Sequence, residues 1–80
     1  MDGERRLKRR ELAILRVLEG GCWIAPRTLA SAAGVPSSTT RRLVGRLEAR
    51  GLVELEGATH ARRIRRTAAA ERALARQDAV

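Results

Sequence analysis

The segment GVPSSTTRRLVGRLEARGLV, Gly34 to Val53, constrains the fold more than any other part of the chain. It opens on Gly34, a residue able to take the positive φ at which helices end, and Val35-Pro36 then turns the chain. It closes on a second stop, Gly51. Between the two, at about 100° per residue, Thr40, Leu43, Val44 and Leu47 share one face of a helix. Ser37, Ser38, Arg41, Arg42 and Gly45 share the opposite face. The spacing predicts a helix from about Ser37 to Arg50 with one side that packs and one that is free to read.

The flanking sequence supplies what this helix packs against. From about Glu4 to Leu18, the residues Leu7, Leu12, Ile14, Leu15 and Leu18 fall mostly on one face of a first helix, stopped by Gly20-Gly21. The CWIA piece that follows is short, apolar and β-compatible, and Cys22 beside Trp23 is expected in buried packing. Pro26 opens a short second helix to Ala33 that buries Leu29, Ala30 and Ala33. Beyond Gly51, LVELE and RRIRRT read as short strands joined by the GATHA loop, a wing over residues 52–67. Alternation along the second of them turns Ile64 inward and Arg63 and Arg65 outward. Thr67 then caps an alanine-rich fourth helix to about Gln77, with Leu74 its only large apolar residue. The expected fold is mostly α with a small β-hairpin: a winged helix-turn-helix with a three-helix core, a wing and a short C-terminal helix. Residues 1–80 are expected to form one domain, since a chain of this size buries only about 60% of its unfolded surface in a single modest core.

Charge narrows the function. With 17 Lys and Arg against 9 Asp and Glu, the formal net charge is +8, which argues for a polyanionic partner. Every basic residue except Lys8 is arginine, whose planar fork suits phosphates and guanine edges. Nucleic acid is the first candidate, although composition alone also permits a membrane surface. The opening MDGERRLKRRELAILRVLEGG imitates the charged start of a signal peptide, but Glu11, Arg16 and Glu19 interrupt the apolar region that export needs. No segment approaches the length of a membrane span. A single cysteine, Cys22, provides no disulfide framework, and a cytoplasmic setting is expected. The chain carries no histidine-supported nucleophile, no phosphate-cradling glycine loop and no clustered carboxylates. It is therefore expected to be no enzyme and to need no cofactor. His60, alone in the wing loop, is not a zinc site, and Trp23 as the only aromatic residue leaves no stacking platform for single strands.

The candidate site lies on the polar face of the third helix. Arg41 and Arg42, one turn beyond Ser37 and Ser38, are placed to reach guanine O6 and N7, and the hydroxyls to bond a phosphate or base edge. Arg46 at the helix edge and Arg62, Arg63 and Arg65 in the wing are expected to hold phosphates. The competing reading of so basic a strand is a charged edge that discourages aggregation, with Glu54 and Glu56 neutralising part of it. Gly45 either admits a groove wall closely or is simply tolerated at an exposed position. The cluster Arg5, Arg6, Lys8, Arg9 and Arg10 either touches a nucleic-acid backbone or solubilises a helix end whose dipole it opposes.

The stretch LASAAGVPSSTTRRLVGRLEARGLV, Leu29 to Val53, closely resembles the segment of MarR-type transcriptional regulators that usually reads like LAxxLGVSxSTVTRLVDRLEARGLV. The likeness extends more weakly from Ile14 to Leu74 and includes RTAAAERAL, similar to the family's LTEAGRAL. The resemblance implies a sequence-specific binder of double-stranded DNA. By it, Ala30 is the small residue that lets the second and third helices approach, Gly34 and Val35 form the turn, and Leu43 and Leu47 are core. Ser37, Ser38, Arg41 and Arg42 fall on base- and phosphate-contacting positions. The departures are Pro36 for a capping serine, Thr40 for a valine, Gly45 for an aspartate, and Arg66 and Ala70 for a leucine and a glycine. The wing's usual acidic residue is also missing. At 80 residues the sequence has no room for the long terminal helices that dimerise MarR proteins and frame their ligand pocket, so effector sensing is not expected to carry over. A homodimer is still expected, because a palindromic site requires a second copy, and the first and fourth helices offer thinly covered surfaces for it. From another class, a winged helix serves as a protein-docking part of a larger nucleoprotein complex, as in transposition or viral packaging. A weaker third reading is a binder of duplex RNA.

Overall fold

The computed structural model describes residues 7–57 and 62–78. The expectations placed on Arg5, Arg6, His60 and all of the wing loop beyond Gly57 up to Ala61 lie outside them. The order of elements is α1 (Arg9–Val17), a 3₁₀ turn (Glu19–Gly21), α2 (Pro26–Ala33), α3 (Ser37–Ala49), β1 (Val53–Glu56), β2 (Arg63–Arg66) and α4 (Ala68–Asp78). One apolar cluster joins them. Ile14 and Leu15 of α1, Leu18 just after it, Leu29 of α2, Leu47 of α3 and Ile64 of β2 are its largest fully buried side chains.

The two glycine stops use the same device. Gly34 takes a left-handed conformation (φ 69°, ψ 33°) after α2, and Val35 N–H reaches back to the Ala30 carbonyl at 3.1 Å. Gly51 (φ 75°) repeats this after α3, with Leu52 N–H on the Leu47 carbonyl at 2.9 Å. Each return bond satisfies a carbonyl that the helix end leaves without a partner, and L side chains at the glycine positions would strain it. The α2 and α3 axes are therefore set against each other by a turn as short as the spacing predicts. All four residues of the expected packing face, Thr40, Leu43, Val44 and Leu47, are buried. Thr40, only 1% exposed, stands where the resemblance has valine; its hydroxyl donates to the Val35 carbonyl at 3.4 Å, so the buried oxygen is not orphaned.

The hairpin pairs Val53 with Arg66, Glu54 with Arg65, Leu55 with Ile64 and Glu56 with Arg63 in antiparallel register. Ile24 adds a single bridge to it, through reciprocal bonds with Ile64 at 2.9 and 2.8 Å. Thr67 caps α4 as expected, its hydroxyl accepting from Ala70 N–H at 3.3 Å and donating to the Gly51 carbonyl at 2.7 Å.

The structure corrects four readings. Among the described residues the first helix begins at Arg9, not near Glu4, because Lys8 N–H donates to the Glu11 carboxylate at 2.9 Å and fixes the start there. Leu7 is buried but not helical; its N–H and carbonyl are both held by the Gln77 amide, at 3.2 and 3.1 Å, which clasps α4 to the chain before α1. Cys22 is exposed rather than packed. Only Ile24 of the CWIA piece pairs with the hairpin, so the segment is too short to carry an inward face that covers the thiol. Ala33, expected to be buried, is partly buried at the end of α2.

Arg66 explains how a charge replaces the leucine of the resemblance. Its side chain is 9% exposed and points inward from β2, where it donates to the Leu15 carbonyl at 2.8 Å and to both Glu71 oxygens at 2.7 and 2.9 Å. One guanidinium thereby ties the end of α1, the end of β2 and the first turn of α4, with its donors used in a fork geometry.

Candidate nucleic-acid interface

The outer arc of α3 is exposed from end to end: Ser37, Ser38, Arg41, Arg42, Gly45 and Arg46 all face solvent. Its position follows from burial of the opposite face against α2 and β1. At the start of α3 stands Pro36, which makes no side-chain cap, so the first-turn N–H groups receive no acceptor from the capping residue. Such an end suits an anion. Among the described residues Arg41, Arg42 and Arg46 make no ion pair.

A groove of about 450 Å³ runs between α3 and the hairpin. Arg41, Gly45 and Glu48 line its helix side, and Leu55, Arg62 and Ile64 its hairpin side. The structure thus brings Arg62 of the wing onto the same groove as Arg41 of the helix. A Cβ built on Gly45 would meet nothing within 4 Å, so packing within the chain does not require glycine there. Glu48 is the one acid on this flank and was missed by sequence reasoning. At about 100° per residue it lies almost over Arg41, a signal the same helical projection contained.

The wing arginines separate into three environments. Arg62 and Arg63 are exposed. Arg65 is partly covered: one guanidinium nitrogen donates to both oxygens of Glu54, at 3.1 and 3.2 Å, and the guanidinium carbon lies 4.5 Å from the centre of the Trp23 ring. Arg66 is inward, as described. Lys8, Arg9 and Arg10 are exposed around the start of α1 and do not line the groove. Nearby, Arg50, at the end of α3, reaches the buried Glu11 at 3.8 Å and so serves the fold. Neither Trp23 as a platform for Arg65 nor Glu11 as a buried acid was legible from spacing, because both depend on which segments meet.

Among the described residues no group of three or more His, Cys, Asp or Glu is arranged to hold a metal, and no helix is long and apolar enough to cross a membrane.

Similarity to known proteins agrees with this geometry. Residues 7–64 match the family model of the MarR family. A MarR-family transcriptional regulator from Silicibacter pomeroyi is 28% identical with a TM-score of 0.79, the alignment covering 88% of this chain and 49% of that one. The PcaV transcriptional regulator from Streptomyces coelicolor, solved with its natural ligand, is 27% identical with a TM-score of 0.72, over 85% of this chain and 50% of that one. A MarR family protein from Bacillus stearothermophilus is 30% identical with a TM-score of 0.70, over 88% and 49%. The chain spans about half the length of these solved proteins. No match is found among curated proteins. The family match begins at the buried Leu7 and runs through both glycine stops to Ile64 at the centre of the hairpin, and the chain belongs to the MarR family.

Proposed function

We propose that this chain is a non-enzymatic, sequence-specific binder of double-stranded DNA that regulates transcription, with residues 1–80 acting as one DNA-binding domain. The observation that carries the reading is the outer arc of α3: Arg41, Arg42 and Arg46 are exposed and make no ion pair among the described residues, and Arg41 shares a groove with Arg62 of the wing. Arg41 and Arg42 read base edges in the major groove, where a guanidinium bonds guanine O6 and N7 together. Ser37 and Ser38, beside the uncapped start of α3, position a phosphate. Arg46, Arg62 and Arg63 hold the backbone, and Arg65, tied to Glu54, stands beside them on the hairpin.

One α3 offers few base contacts, so specificity is reached by a homodimer on a palindromic site, with recognition helices roughly 34 Å apart on one side of the duplex. Selection from a random duplex pool, with duplex RNA as competitor, tests the reading. The expected result is an enriched palindrome bound by two copies and retained against RNA. A pool that after selection is bound no better than scrambled DNA would reject sequence reading. A one-to-one complex at saturation would reject the dimer, and no affinity for either duplex would leave a protein-docking module.

A further inference from the structure

Glu54 and Arg65 face each other across the hairpin, and the bridge between Ile24 and Ile64 sets Trp23 beside Arg65 on the same outer surface. The guanidinium is thereby held from two sides, by a carboxylate that takes one of its nitrogens on both oxygens and by an indole face. A cation over an aromatic face and an ion pair across a strand pair are both attractive, but neither is deep here. The Arg65 and Glu54 side chains keep 37% and 48% of their exposure, so water and salt screen the pair. A DNA phosphate offers the same guanidinium the same chemistry as Glu54: an anion with acceptor oxygens at fork spacing. The carboxylate and the phosphate compete for the same guanidinium nitrogen.

On the reading of the chain as a DNA binder, we propose that Glu54 withholds Arg65 from the DNA backbone. Arg62 and Arg63 supply the wing's phosphate contacts, and Glu54 keeps a third arginine in reserve over Trp23. Its effect is to lower affinity for every duplex alike. Base contacts from α3 then account for a larger share of binding, while the affinity difference between sites is unchanged. Glu54 is a positioning residue: it touches no nucleic acid and acts through Arg65.

The test is the slope of log K against log salt on a duplex of random sequence, for the wild type, Glu54→Gln, Arg65→Gln and the double variant. One added phosphate contact steepens that slope by about 0.9. Glu54→Gln is expected to steepen it by that amount, Arg65→Gln to leave it unchanged, and the double variant to return to the wild-type value. Trp23 is the only aromatic residue, so its emission reports the stacked guanidinium in the free protein, and both single variants are expected to shift it. Arg65→Gln shallower by about 0.9, with Glu54→Gln silent, would show Arg65 already on phosphate and overturn the proposal. A steepening that survives in the double variant would reduce Glu54 to one negative charge among others, and overturn it too. Unchanged Trp23 emission in Glu54→Gln would show that Glu54 does not hold Arg65. Arg63→Ala separates the proposal from its premise: if it too leaves the slope unchanged, the DNA-binding reading of the wing fails, and this inference with it.

Discussion

Helix α3 and the hairpin are the two arginine-bearing regions that flank one groove, and they use the same residue in opposite ways. On α3 the 3.6-residue period gathers Leu43, Val44 and Leu47 on one side and leaves Arg41, Arg42 and Arg46 on the other, away from any ion pair within the described residues. On the hairpin the period is two, and each outward position faces a residue on the neighbouring strand. Glu54 meets Arg65 there, and Glu56 meets Arg63. The inward position next to Arg65 is filled by Arg66, whose guanidinium bonds Leu15 and Glu71. The helix leaves its three arginines exposed, while the hairpin ties two of its four to other residues of the chain. A residue's type does not decide between these uses. The periodicity of its element and the identity of its cross-strand neighbour do.

The comparison can be broken most severely at the packing side of α3. Leu47→Ala removes a side chain with no exposure and is expected to cost about 2 to 5 kcal/mol in urea or thermal unfolding. A change near zero would place the packing face elsewhere, and the free face would move with it. Arginine substitutions then separate the two regions. Arg66→Ala leaves the Leu15 carbonyl without its donor and is expected to cost about 1 to 3 kcal/mol. Arg42→Ala, on the exposed arc, is expected to change stability by less than about 0.5 kcal/mol. Equal costs would erase the distinction. Gly45→Ala is expected to stabilise the free protein by about 1 kcal/mol, since glycine is unfavourable inside a helix and a Cβ has room. A parallel loss of affinity for the selected duplex assigns the glycine to close approach of the DNA, and unchanged affinity assigns it to tolerance.

The smallest effect sets the scale for an exposed ion pair like that of Glu54 and Arg65. Asp78 accepts from Arg16 at 2.8 Å, and that hydrogen bond holds its carboxyl below the usual range. A depressed carboxyl contributes stability that is present above its unfolded pKa and lost as pH falls through the folded one. The thermal midpoint of the wild type is therefore expected to fall slightly further on acidification than that of Asp78→Asn. Both groups are solvent-exposed, so the difference is small. A large difference would mean that exposed pairs in this chain are stronger than the Arg65 proposal assumes.

Much of this architecture was legible in the sequence because its signals are local. Gly34, Pro36 and Gly51 fix the ends of α2 and α3 by their own backbone preferences, and the buried face of α3 follows from spacing alone. Thr67 announced the start of α4 in the same way. What escaped depends on contacts between distant segments. Cys22 looked like a small buried hydrophobe, but its neighbours in space decide that, and only Ile24 of its segment pairs with the hairpin backbone. Leu7 carries a helical apolar spacing, yet the Gln77 amide, 70 residues away in sequence, claims its backbone. The exposed arc of the candidate site was read from periodicity. The division among the wing arginines was not, because Trp23 and Glu71 are brought to Arg65 and Arg66 by the fold.

The central claim is that α3 reads base pairs while the hairpin holds the backbone. It is tested most directly by measuring Arg41→Ala and Arg63→Ala on the selected duplex and on scrambled DNA, each over a range of salt. Arg41→Ala is expected to lose about 1 to 3 kcal/mol on the selected duplex, little of it on scrambled DNA. Arg63→Ala is expected to weaken both duplexes alike and to make the salt slope shallower by about 0.9. If Arg41→Ala instead weakens both equally while Arg63→Ala changes which sequence is preferred, the roles of helix and hairpin are reversed and the account is wrong.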